Sequence, residues 1–154
     1  MKPRGRRRKR STLGSPAEWL AHAESDLNLA RLGKDRDDVL PEQVCFHTQQ
    51  AAKKALKAVL LHRKIEFPFI HDIEALLEIM THSGLLVPPN VADAGALTPY
   101  AVEVRYPGYE EEITPAQVDE AIRLAESVLA WAAGMIARQD IFTSELRILL
   151  QDRL

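Results

Sequence analysis

The feature that most constrains this fold is a long helical pattern over residues 41–63 that carries a polar side chain in its apolar face. At 100° per residue, one stripe of that helix collects Cys45, Ala52, Leu56, Val59 and Leu60. Gln49 falls inside the stripe, and Lys53 lies at its edge. Because a buried amide costs free energy unless it is hydrogen-bonded, we expect a polar partner for Gln49. The best candidates lie in residues 100–107, beginning with Tyr100.

The remaining sequence repeats the helical period, with start and stop signals at the expected places. Ser15-Pro16-Ala17-Glu18 and Thr114-Pro115-Ala116-Gln117 are capping-box starts with proline at the first helical position. Pro99 falls inside the fourth element, so we expect either a kink or a new turn there. No alternating strand pattern stands out, which predicts an all-α fold: an antiparallel bundle of about five helices with an up-and-down four-helix core. The predicted helices run over about 16–32, 41–63, 72–83, 88–104 and 114–138.

The two ends of the sequence differ from the predicted bundle. Residues 1–10 hold seven of the 20 Lys and Arg and none of the 22 Asp and Glu, so the rest of the chain carries a net charge of −9. We interpret residues 1–14 as a basic, disordered arm, which either is a solvated tail or binds nucleic acid, membrane lipid or an acidic partner. Residues 15–139 form the predicted bundle, and residues 140–154 form a C-terminal amphipathic extension.

Several common kinds of site have no sequence signal. The single cysteine, Cys45, lies on an apolar helix face, which favours packing over nucleophilic chemistry. The five histidines have no zinc-ligand spacing with Cys, Asp or Glu, so we expect neither a metal nor another cofactor. There is no phosphate-binding glycine loop, nucleophile elbow or Rossmann fingerprint, and no catalytic residue is assigned. The lack of a signal peptide or membrane-length apolar run, with only one cysteine, favours a cytoplasmic location.

Four motifs occur in order at Trp19–Leu27, Cys45–Lys57, Phe67–Ile73 and Leu97–Pro107. Together they resemble the HEPN family, the higher-eukaryote and prokaryote nucleotide-binding domains, over about residues 17–139. The resemblance implies a helical bundle that is usually a homodimer. It also implies a place beside a minimal nucleotidyltransferase in a two-component toxin–antitoxin module.

One departure from the family pattern bears on activity. Many members are metal-independent ribonucleases in which an arginine is followed closely by a histidine. Arg105 matches the arginine, but residues 110–112, where the histidine is expected, are all glutamate. Histidine suits proton transfer near neutral pH, whereas three carboxylates repel a phosphate chain. The sequence therefore resembles the Arg-Tyr-Pro branch of the family, and the resemblance leans against an enzyme.

Five residues are candidate ligand contacts: Arg105, Tyr106, Tyr100, Gln49 and Lys53. Arg105 can hold a phosphate in bidentate fashion while Tyr106 stacks on a base, or it can pair with Glu103 or Asp26. Tyr100 and Gln49 either read the edge of a ligand or form an interhelical hydrogen-bonded pair.

The lysines of the same helix have two interpretations. Lys53, Lys54 and Lys57 form either a phosphate track or a solvated face, and the solvated face is the commoner arrangement. We therefore predict a nucleotide- or RNA-binding accessory component of a nucleotidyltransferase module. The alternatives are a metal-independent endoribonuclease toxin with an unconventional acid or base, such as Glu110, Glu111 or a histidine from another helix, and a structural dimerisation module.

Overall fold

The computed structural model describes residues 14–101 and 112–151, without the side chains of residues 139–147. Every regular element in these ranges is helical, which confirms the predicted all-α fold. The elements are α1 (Pro16–Lys34), α2 (Pro41–His62), α3 (Ile73–His82), α4 (Pro89–Ala92), the 3₁₀ helix η1 (Asp93–Ala101) and α5 (Pro115–Gln151). None of these helices has the length and apolar character needed to cross a membrane.

The predicted helix starts are confirmed by their hydrogen bonds. Ser15 Oγ accepts from the Glu18 backbone N–H at 3.1 Å, and the Glu18 carboxylate accepts in return from the Ser15 N–H at 3.4 Å. Thr114 and Gln117 exchange the same two bonds at the start of α5, at 3.2 and 2.8 Å. The Asp72 side chain caps α3 by accepting from two backbone N–H groups of its first turn. Each cap satisfies donors that a helix N-terminus leaves unpaired.

The core lies between α1, α2 and α5, and α3 and η1 close it on the side of α2. Ion pairs between Arg31 and Glu126 and between Lys34 and Asp119 run in opposite order along α1 and α5, so these two helices are antiparallel. The largest fully buried apolar side chains come from five of the six elements: Leu56, Leu60, Val59, Ile73, Leu76, Met80, Val91, Leu97 and Val128.

The turn after α2 determines what covers its polar face. The Ile65 N–H donates to the Leu60 carbonyl at 2.9 Å and the Lys64 N–H to the Leu61 carbonyl at 3.1 Å, the pattern of a Schellman motif. Lys64 has φ 57°, in the left-handed region that glycine usually occupies in this motif. This reversal sends the following residues back towards α2, where they pack on its side chains.

Two elements differ from the predicted boundaries. The fourth helix is one α turn followed by a 3₁₀ segment that runs past Pro99 to Ala101. The predicted end of that element, Val104, lies outside the described residues. Helix α5 continues through residue 139 to Gln151, since the sequence from 135 to 151 contains no proline or glycine to end it. The predicted extension is thus continuous with α5 in the described range.

Candidate functional site

A row of buried polar side chains runs along α2. Gln49, Lys53 and Lys57 stand four residues apart, so they share one helix face. Gln49 is fully buried, and each lysine is only 5% exposed. The interpretation of these lysines as a solvated face is wrong for Lys53 and Lys57, because the turn after α2 and the start of α1 cover them. We call Gln49, Lys53, Lys57 and His71 the polar seam.

His71, in the exposed turn before α3, connects the seam. Gln49 Nε2 donates a hydrogen bond to the His71 carbonyl oxygen at 2.8 Å. Lys53 Nζ lies 3.1 Å from His71 Nδ1, so the ammonium donates to the imidazole. The described partner of Gln49 is thus the His71 backbone, and most of residues 100–107, where a partner was predicted, lie outside the described residues. Tyr100, which lies on η1, is half-buried and packs against the hydrophobic core.

The side-chain oxygen of Gln49, unlike its nitrogen, has no described hydrogen-bond partner. This Oε1 atom is buried. An unsatisfied buried acceptor costs on the order of 1–3 kcal/mol, so native proteins rarely keep one without a reason. The seam therefore holds a fully buried acceptor without a described partner.

Lys57 is surrounded by aromatic rings. Its Nζ lies 5.7 Å from the ring centroid of Trp19 and 5.8 Å from that of Phe67, within cation–π range. A cavity of about 240 Å³ opens beside Trp19 at the start of α1, lined by Gly14, Glu18, Trp19, His22 and Lys54. The seam thus has an aromatic wall next to open space.

No described carboxylate lies within ion-pair distance of Lys53 or Lys57. The nearby Asp26 of α1 accepts instead from Lys54 Nζ at 2.6 Å and contacts His47 Nδ1 at 3.1 Å. Asp26 thus forms a salt bridge between α1 and α2. This arrangement also leaves two buried ammonium groups of the seam without a described counterion.

Burial changes the protonation of the seam. Burial and, to a smaller extent, the neighbouring charges of Lys57 and Lys54 together lower the pKa of Lys53 to about 8, and only Asp26 opposes them. Burial also lowers the pKa of Lys57. The charge of Lys53, more than burial, lowers the pKa of His71, so the imidazole is neutral at pH 7 and can accept from the ammonium.

The predicted site residues divide into two groups. Gln49 and Lys53 meet in the seam, whereas Arg105, Tyr106, Glu110 and Glu111 lie outside the described residues, as do Val102 and Glu103. Lys57 was predicted only as part of a possible phosphate track, and its four-residue spacing from Lys53 and Gln49 was the signal for the seam. His71, Trp19 and Phe67 were not among the predicted site residues. In the described ranges, no three His, Cys, Asp or Glu side chains are placed to hold a metal ion.

Comparison with known proteins identifies the family. The sequence model of the HEPN domain matches residues 16–136. The chain belongs to the HEPN domain family. The crystal structure of ST0689, an archaeal HEPN homologue, is 30% identical, with a TM-score of 0.63 over 80% of this chain and 98% of that one. TT1696 from Thermus thermophilus is 28% identical, with a TM-score of 0.63 over 78% of this chain and 97% of its own. No curated protein is significantly similar to this HEPN chain.

Proposed function

We propose that this HEPN protein is a nucleotide- or RNA-binding accessory component of a minimal nucleotidyltransferase module of the toxin–antitoxin type, in the Arg-Tyr-Pro branch of the family. One observation carries the binding part of the proposal: Lys53 and Lys57 are buried on one face of α2 without a described carboxylate. Buried charges are normally paired, so this pair favours an anion from outside the bundle. The nucleotidyltransferase partner and the cytoplasmic location rest on the family resemblance and the composition.

A nucleotide offers groups that complement the polar seam. Its phosphate oxygens accept from ammonium groups, and its base has a flat face suited to an aromatic ring such as Trp19. Base amino groups and ribose hydroxyls donate hydrogen bonds, which the free Oε1 of Gln49 can accept. The cavity beside Trp19 gives such a group space next to the seam. Arg105 and Tyr106 remain predicted additional contacts.

Binding measurements with paired lysine variants test this proposal. We expect calorimetry of the full chain with nucleoside mono-, di- and triphosphates and a short RNA to show binding that Lys53→Met weakens roughly ten- to a hundredfold, because a desolvated contact to a charged group is lost. Lys64→Met removes an exposed lysine just beyond the end of α2 and is the matched control. Equal binding by both variants would contradict the proposal.

The basic arm requires a separate control, because it can bind nucleic acid without using the seam. Glutamine at Arg6, Arg7 and Arg8 in the full chain, together with a salt series, separates the two contributions. Nucleic-acid binding by the arm should weaken steeply with salt and should be the same in the Lys53→Met variant as in the wild type. Binding that disappears with the arm alone would assign the affinity to residues 1–14 and would overturn the role of the seam.

A ribonuclease is the second candidate, and His71 is the observation that favours it. This imidazole is exposed, its pKa is lowered, and it lies 3.1 Å from a lysine that can hold phosphate. A neutral imidazole can deprotonate a ribose hydroxyl near neutral pH. Incubation of the full chain with total RNA tests the candidate. Cleavage that His71→Gln abolishes would replace the accessory role by a catalytic one.

We also propose a homodimer, with the end of α5 as part of its surface. Ile148, Leu149 and Leu150 are 60–63% exposed, and Ala132 is the last buried residue among those of α5 whose side chains are described. Exposed apolar residues in one helical turn favour a protein contact. Light scattering at micromolar concentration should return twice the chain mass, and Leu149→Glu should lower it, whereas Leu86→Glu, at a 91% exposed leucine, should not. A monomer that forms a larger complex only when a nucleotidyltransferase is added would indicate that this second protein, rather than another copy of the chain, covers the end of α5. A chain that stays monomeric under both conditions would contradict both interpretations.

A further inference from the structure

Adjacent lysines on α2 have opposite surroundings. Lys53 Nζ contacts an imidazole nitrogen at 3.1 Å and has no described carboxylate, whereas Lys54 Nζ is held by the Asp26 carboxylate at 2.6 Å. An amine reacts as a nucleophile only in its unprotonated form. Lys54 is engaged by a carboxylate, whereas Lys53 contacts a neutral imidazole nitrogen that can accept the proton an amine loses when it attacks. The two lysines therefore differ in chemistry although they are neighbours in sequence.

We propose that Lys53 is a site of covalent acylation, with His71 as its proton acceptor and small acyl phosphates as its acyl donors. The proposal uses the lysine that the proposed function assigns to phosphate binding, and acylation would regulate that binding by removing the charge. Lys57 lies one turn further along α2 and offers a cation for the phosphate of the donor.

The reaction balances within the named groups. The unprotonated Lys53 nitrogen attacks the carbonyl carbon of the acyl phosphate and forms a C–N bond. The bond from that carbon to the bridging oxygen breaks, and inorganic phosphate leaves with the electron pair. The proton of the attacking nitrogen passes to His71 Nδ1 and from there to solvent, because His71 is exposed. The product is a neutral amide on Lys53.

Two features of the surroundings favour this site over other lysines. Around pH 8, about half of Lys53 is unprotonated, compared with well under one per cent of an ordinary lysine. The charged groups that face Lys53 are Lys57 and Lys54 of α2 and Asp26 of α1. With all three present, the pKa of Lys53 is still lowered, so its unprotonated fraction stays large. Lys53 is only 5% exposed, and its Nζ contacts His71, which lies in an exposed turn; the proposal has the small donor approach the amine from that side.

Site-resolved acetylation rates test the inference. The full chain is treated with acetyl phosphate at about pH 8, and the initial rate at each lysine is measured by mass spectrometry, with the unfolded chain as the reference for intrinsic reactivity. We expect Lys53 to react on the order of tenfold faster than Lys54 in the native chain. A much larger fraction of Lys53 is unprotonated, but its lower basicity and its burial make the free amine react more slowly, which offsets most of this advantage. The preference should disappear in the unfolded chain.

A histidine variant tests the proton acceptor. His71→Gln should slow acetylation of Lys53 severalfold and leave the exposed Lys64 unchanged. A native rate at Lys53 no higher than at Lys54 would overturn the inference. The two proposals can fail separately. Nucleotide binding without selective acetylation would contradict the acylation site alone, and selective acetylation without nucleotide binding would contradict the binding function alone.

Discussion

Lys53→Met is expected to raise the free energy of unfolding by about 1–3 kcal/mol at pH 7, because it removes a buried cation whose pKa the fold lowers to about 8. Between pH 8 and 10.5 the unfolded chain still holds the lysine proton that the folded chain has released. The stability of the wild type should therefore rise with pH across this window, and the advantage of the variant should shrink. Urea unfolding at several pH values measures both effects.

The same substitution at Lys64 is the control, because this lysine is exposed and should change the unfolding free energy little at any pH. A Lys53→Met variant that is less stable than the wild type at pH 7 would contradict the account. It would show that the lysine has a favourable partner in the free protein. Stabilisation together with lost nucleotide binding is the pattern expected of a residue kept for function rather than for stability.

Asp26→Ala is expected to lower the free energy of unfolding by about 2 kcal/mol, because it leaves Lys54 and His47 without the carboxylate that both contact. Asp26 is 14% exposed at its side chain and Lys54 is 25% exposed, so water replaces these contacts only in part. Glu24→Ala, at an exposed position of the same helix, is the matched control and should change stability by less than about 0.5 kcal/mol.

A double-mutant cycle shows whether the loss comes from this pair. In a Lys54→Met background, Asp26→Ala should cost clearly less than in the wild type, since the stranded ammonium is then gone. An equal cost in both backgrounds would mean that the two side chains do not interact in solution. The cycle also tests why Lys54 differs from Lys53, which is the basis of the expected difference in acetylation.

The fold could be predicted from the sequence because its signals are local. The capping boxes at Ser15 and Thr114 and the helical period of α1, α2 and α5 fix the element type without knowledge of the packing. The run of the last helix to Gln151 was missed, although the sequence contains nothing that ends it. A change in amphipathic pattern near residue 139 does not by itself interrupt backbone hydrogen bonds.

The site was predictable only in part, for a physical reason. A polar residue in an apolar stripe marks a buried site, which is how Gln49 was found, but the stripe does not say what lies opposite. The partner of Gln49 is the backbone carbonyl of His71, and every residue has such a group. Burial of Lys57 depends on a left-handed turn at Lys64 that brings Phe67 over α2, and lysine is not a residue that predicts this turn.

The most direct measurement of the central claim is the pKa of Lys53 itself, followed by NMR with isotope-labelled lysine in the free protein and with a nucleotide bound. The account predicts a value near 8 in the free protein, caused mainly by burial, and a clear rise when phosphate oxygens supply the missing negative charge. The signal of Lys64, an exposed lysine, is the internal reference in the same spectrum. A Lys53 pKa near 10.5 in the free protein, or one that saturating nucleotide leaves unchanged, would contradict the account.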